Sequence, residues 1–114
     1  MATFLDAMTV RHDKLVRDRI PEIIEKSGKR ATFTTLGDDG FRKALLAKLI
    51  EEACEVAEAP DEVRLSEFAD LAEVLDAALA MHGFSGEELA QRRASRNQER
   101  GGFARRIYLQ SVDE

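Results

Sequence analysis

Apolar residues recur every three or four positions along two long stretches of this chain. Phe41, Leu45, Leu49, Ala53 and Val56 form one stripe, widened by Leu46, Ile50 and Ala57, and the spacing predicts a helix over 41–58. Phe68, Leu71, Leu75, Ala78 and Leu79 form a second stripe, predicting a helix over 65–82, with Ala59-Pro60-Asp61 as the break between them and Gly83 as the stop. Ser85-Gly86-Glu87-Glu88 reads as a capping box that opens a further helix ending near Arg100, before Gly101-Gly102. Upstream, Pro21 suits the first turn of a short helix whose apolar side is Ile20, Ile23 and Ile24, with Gly28 at its end. Ala31 to Leu36 is rich in β-branched residues and predicts a short edge strand, which Ile107-Tyr108-Leu109 is placed to pair with. Gly37 to Gly40 is a turn in which Asp38 or Asp39 is expected to cap the following helix. The expected fold is mostly α, a bundle of three or four helices with a short two-stranded β element. Residues 1–12 show no periodicity and are expected to form a leader, with the domain spanning 13–114.

The polar positions on the two long helices carry the candidate chemistry. Glu52 with Glu55, and Glu67 with Asp70, are spaced i, i+3, so each pair stands on one helix face a turn apart. A second pair on the later helix, Glu73 and Asp76, competes with Glu67 and Asp70. At about 100° per residue, Glu67 and Asp70 lie about 40° and 100° to one side of Leu71, while Glu73 and Asp76 lie about 140° or more away, on the back. The first pair is therefore expected to face inward. Two such helices packed antiparallel would direct four hard oxygen ligands to one place, a site suited to Mg²⁺ (or Mn²⁺). Lys48 lies on the same flank as Glu52 and Glu55. The plain alternative is that such acidic pairs are solvated faces.

Composition narrows the picture. The chain has 114 residues, enough for one domain with a modest core; 44% are hydrophobic and 34% charged, an ordinary globular balance. A net charge of −5 argues against a general nucleic-acid binder. Arginines nevertheless gather at Arg92, Arg93, Arg96, Arg100, Arg105 and Arg106, and Arg92, Arg96 and Arg100 share one helix face. An acidic centre set against an arginine row points to a small anionic ligand bridged between metal and arginine. The alternative for the row is ion pairing with Glu88 or Glu99. Cys54 is the single cysteine, which excludes an internal disulfide, fits a reducing compartment and is expected at a core or interface position. His12 and His82 lack zinc-type spacing. No apolar run reaches membrane-spanning length and residues 1–9 lack the pattern of a signal peptide, so a cytoplasmic address with no membrane partner is expected. A chain of this size buries only part of such wide stripes, which predicts a homodimer or larger homo-oligomer such as a homotetramer.

Glu51-Glu52-x-x-Glu55 followed by Glu67-x-x-Asp70 resembles the signature of the MazG-like, all-α nucleoside triphosphate pyrophosphatases. Lys14-Leu15-Val16-Arg17-Asp18-Arg19-Ile20-Pro21 and Arg100-Gly101-Gly102-Phe103 further resemble a branch of house-cleaning pyrophosphatases for noncanonical nucleotides, so that the likeness runs from about Lys14 to Leu109. The resemblance implies hydrolysis of a nucleoside triphosphate at the α–β phosphate bond, giving a monophosphate and pyrophosphate. It implies Mg²⁺ held by Glu52, Glu55, Glu67 and Asp70, with catalytic roles for Glu51 and Glu52, Glu51 sharing a second metal or acting as the base. Lys14, Arg17, Lys48, Arg96 and Arg100 are the candidates for holding phosphate, and relatives of this kind assemble as oligomers. No aromatic or amide residue stands out to read a base, so the base is left open. Phosphoribosyl-ATP pyrophosphohydrolase carries similar carboxylate helices and is the nearest alternative, although the Lys14–Pro21 and Arg100–Phe103 segments count against it. A non-catalytic helical oligomerisation module is the alternative of a different class.

Overall fold

A computed structural model of the chain describes residues 9–113, which contain four helices: α1 (Ile20–Lys26), α2 (Asp38–Glu58), α3 (Asp61–Met81) and α4 (Gly86–Arg100). The protein is thus mostly helical, and no helix among the described residues is long and apolar enough to cross a membrane. The expected leader over 1–12 falls largely outside the described residues; residues 9–12 are irregular and exposed. The chain divides between Ala78 and Leu79 into two compact units.

In the first unit, α1 starts with Pro21 in its first turn and ends where the Ser27 N–H reaches the carbonyls of Ile23 and Ile24. Gly28, at φ +90°, then reverses the chain in a conformation that side chains disfavour. Helix α2 begins three residues before Phe41, because Gly37 is extended and its carbonyl already accepts from the Phe41 N–H at 2.8 Å. Neither Asp38 nor Asp39 caps α2 by its side chain, contrary to expectation. Both lie inside the first turn, where their charge meets the positive end of the helix dipole.

Ala59, at ψ 145°, ends α2, and α3 starts only two residues later at Asp61, four residues ahead of the expected start. So short a connection folds α3 back against α2 as an antiparallel hairpin. Arg64 fastens this turn. Its Nε donates to the Val56 carbonyl at 3.0 Å, and its other nitrogens meet the Ala59 carbonyl and the Asp61 carboxylate. These contacts satisfy carbonyls that the end of α2 leaves without helical partners.

The faces that meet are not quite those the stripes predict. On α2 the covered residues are Phe41, Ala44, Leu45, Lys48, Leu49, Glu51, Glu52 and Val56, while Leu46 and Ile50 are 46% and 68% exposed. On α3 Glu67, Asp70, Leu71, Val74, Ala77 and Ala78 are covered, and Phe68 is half open at 51%. The contact face of α3 is centred about 60° from Leu71 toward the carboxylates, given about 100° per residue. Glu73 and Asp76 are exposed, as their angular position requires, and Cys54 is exposed too, which removes the core position expected for it. Among the described residues, Leu45 and Ala78 are the buried apolar ones.

In the second unit the end of α3 is closed by Gly83, at φ +81°, with the Phe84 N–H bonded to the Leu79 carbonyl at 2.9 Å. The capping box forms as expected: the Glu88 N–H donates to Ser85 Oγ at 3.0 Å, and the Ser85 N–H donates to Glu88 Oε1 at 3.1 Å. Beyond α4 the chain is irregular and exposed through Phe103, Ile107, Tyr108 and Leu109. The expected strands over 31–36 and 107–109 do not form; both stretches are irregular. A two-stranded ribbon is marginal in water unless one face is covered, and nearly every residue of both segments is exposed.

Truncating Leu45→Ala should cost about 2–5 kcal/mol of unfolding free energy, and Ser85→Ala about 1 kcal/mol through loss of the cap. Urea titration followed by far-UV circular dichroism measures both.

Candidate metal centre

Glu52 and Glu67 stand at equal distances from the hairpin turn. Each is six residues from the helix end nearest the connection, at Glu58 and Asp61 respectively, or about 9 Å along its helix. An antiparallel hairpin therefore sets them side by side, and Asp70, one turn on from Glu67, falls on the same side. Oxygen atoms of Glu52, Glu67 and Asp70 lie within 4.8 Å of one another. Glu52 is 8% exposed, and Glu67 and Asp70 are half-buried. Glu55, expected as a fourth ligand, is exposed and stands outside this close group, although its charge reaches Glu67.

Three cations answer these acids. Lys48, itself largely covered, lies 3.4 Å from Glu52 and 3.2 Å from Glu51. Lys14 Nζ reaches Glu51 at 3.3 Å, and Arg17 Nη2 donates to Asp70 Oδ1 at 2.8 Å. The segment before α1 thus lies against the acidic edge of the hairpin, a juxtaposition across 53 residues of sequence that no local pattern signals. A groove of about 260 Å³ is lined by Asp13, Lys14, Leu15, Ala44, Ala47, Lys48 and Glu51.

The electrostatics divide the acids into two kinds. Partial burial would raise the Glu51 carboxyl, but hydrogen bonds from Lys48 and Lys14, reinforced by their charges, hold it below the ordinary value. For Glu67, desolvation raises the carboxyl, and the charges of Glu55, Asp70 and Glu52 push it further the same way. Counting Glu51, Glu52, Glu55, Glu67 and Asp70 against Lys14, Arg17 and Lys48 leaves a surplus of two negative charges.

The donor set fits a small hard divalent cation. Its ligands are all carboxylate oxygens, and opposite vertices of a Mg²⁺ octahedron are about 4.2 Å apart, so a 4.8 Å spread closes with small side-chain rotations. Softer nitrogen and sulfur ligands are absent from the cluster.

Arg96 and Arg100 lie on α4 in the second unit, exposed along with Arg92. Among the described residues these arginines make no ion pair, and Glu88, a proposed partner, is engaged by the Ser85 N–H instead. Arg64 is the residue that sequence reasoning missed. Its signal was an arginine one turn inside a helix that begins just after Ala-Pro, within reach of the preceding helix end.

No protein-family model matches the chain, and no solved structure matches it. An uncharacterised protein of Mycolicibacterium smegmatis is 54% identical over 43 residues, which are 38% of this chain and 44% of that protein. The chain therefore matches less than half the length of that relative.

The pKa directions fix a sign. Between its ordinary value of 4.5 and its raised value, Glu67 keeps its proton in the folded protein more than in the unfolded chain, so its contribution to stability falls as pH rises through that window. Glu51 acts oppositely, with a contribution present above 4.5 and lost as pH falls through its lowered value. Glu67→Gln should therefore raise the Tm of the metal-free protein near pH 7, with the gain shrinking as the pH is taken below 4.5. Scanning calorimetry decides; a lower Tm near neutrality would contradict this electrostatic account.

Proposed function

We propose that this chain is a Mg²⁺-dependent nucleoside triphosphate pyrophosphatase of the MazG-like kind, acting in the cytoplasm on noncanonical nucleotides. The observation that carries the reading is the convergence of Glu52, Glu67 and Asp70 from two consecutive helices onto one cation-sized place. Solvated acidic faces repel one another and have no reason to converge at a half-buried helix contact. The charge surplus of two and the all-oxygen donors favour a divalent ion of the Mg²⁺ or Mn²⁺ type, with Glu55 completing the set.

The bound metal would offset phosphate charge and lower the pKa of a water molecule, making a nucleophile available near neutral pH. Glu52, Glu67 and Asp70 would hold it. Glu51, kept ionised by Lys48 and Lys14, is available to accept the proton of the attacking water. Lys14 and Lys48 line the adjacent groove and meet the phosphates through charge-assisted contacts. Water adds at one phosphorus of the α–β anhydride and the bridging P–O bond breaks, giving a monophosphate and pyrophosphate.

The same reading includes assembly as a homo-oligomer. Leu65, Ile50 and Phe68 are 81%, 68% and 51% exposed on the hairpin, and full burial of such a side chain is worth about 1.5–3 kcal/mol. Pooling these faces between copies supplies the core that Leu45 and Ala78 alone do not. Ile50→Glu should shift the sedimenting species to a smaller size; an unchanged sedimentation coefficient would remove this face from the assembly.

Product analysis tests the activity. With Mg²⁺, modified nucleoside triphosphates should yield monophosphates plus pyrophosphate faster than canonical ones do, and faster than phosphoribosyl-ATP releases pyrophosphate. Glu52→Gln and Asp70→Asn should each lower the rate by at least about 10²-fold. Release of orthophosphate with a diphosphate would contradict the cleavage position.

A further inference from the structure

We propose that Arg17 is a stand-in for the divalent cation in the metal-free protein, and that it passes from Asp70 to the anionic end of a polyphosphate when the metal site fills. This inference rests on the metal-centre reading above and adds a role for the segment before α1.

Arg17 differs from the other two cations at the site. Lys48 is part of α2 and largely covered, and Lys14 pairs with Glu51, which is not one of the three converging carboxylates. Among the described residues, Arg17 alone is bonded to a member of that trio from outside the helical hairpin, with its Nη2 2.8 Å from Asp70 Oδ1. A guanidinium on that oxygen and a divalent ion on the same carboxylate place like charges a few ångströms apart, so each weakens the other.

The pair is also built to part. The Arg17 and Asp70 side chains are 58% and 42% exposed, and ion pairs as open as this hold weakly. The backbone carrying Arg17 is irregular, in contrast to the helix carrying Lys48, so Arg17 can be re-aimed without disturbing α2 or α3. It lies three residues along the chain from Lys14, which lines the groove with Lys48, and its planar fork suits two oxygens of a phosphate. One arginine thus serves the site in two states. It limits carboxylate repulsion when the metal is absent and binds the polyphosphate when it is present.

Isothermal titration calorimetry on the full chain separates these roles, first with Mn²⁺ alone and then with inorganic pyrophosphate at saturating Mn²⁺. Arg17→Gln should tighten Mn²⁺ about three- to tenfold, since it removes a competing charge, and weaken pyrophosphate about tenfold or more. Arg17→Lys, which keeps the charge and loses the fork, should leave Mn²⁺ near the wild-type value and still weaken pyrophosphate. Arg19→Gln removes the same charge from a residue paired with Glu22 of α1 and should leave both affinities within about twofold. Opposite signs for the two ligands are the diagnostic result, because a merely structural arginine would weaken both. Weakening of both, or unchanged Mn²⁺ affinity in Arg17→Gln while the wild type binds Mn²⁺, overturns the stand-in role and leaves the metal centre intact. Absence of Mn²⁺ binding by the wild type overturns both.

Discussion

Like charges held together across the α2–α3 contact are the constraint around which the first unit is arranged. Glu52, Glu67 and Asp70 approach within 4.8 Å, and desolvation with mutual repulsion drives the Glu67 carboxyl upward. Such an arrangement opposes folding unless cations offset it. Lys48 from within α2, and Lys14 and Arg17 from the segment before α1, supply that offset. The hairpin geometry does the rest. A two-residue connection fastened by Arg64 sets Glu52 and Glu67 at the same height, so the antiparallel packing of the helices also determines where the carboxylates meet.

The same constraint explains why the apolar faces are incompletely used. Turning α3 toward its carboxylates brings Val74 and Ala77 to the contact and leaves Phe68 outward. Leu46 and Ile50 on α2 are open as well. A hairpin that devotes one edge to acids has less apolar contact within itself. Its remaining apolar flank suits a second copy, which ties the proposed assembly to the proposed chemistry.

Much of this was legible in the sequence, and the failures have physical causes. The helices follow from periodicity, and Ser85 and Glu88 form the box that their spacing announces, since both signals are local. The inward turn of Glu67 and Asp70 and the outward turn of Glu73 and Asp76 also follow, because angular position on a helix is fixed by arithmetic. The strand over 31–36 failed because β-propensity measures fit to a covered, pleated surface, and nothing covers this stretch. The cap expected from Asp38 or Asp39 failed because an extended Gly37 starts the helix earlier. Phe68 was placed inside because hydrophobicity reports that a face is to be covered, without saying by what. The pairing of Arg17 with Asp70 joins residues far apart in the chain and could not be read from spacing.

The central claim is that α2 and α3 together hold one divalent ion. A crystal structure of the protein grown with Mn²⁺, with data collected at the manganese absorption edge, tests it most directly. The account requires an anomalous peak bounded by Glu52, Glu67 and Asp70, at metal–oxygen distances of about 2.1–2.3 Å. Manganese bound elsewhere, or no peak between these carboxylates at saturating Mn²⁺, would contradict it.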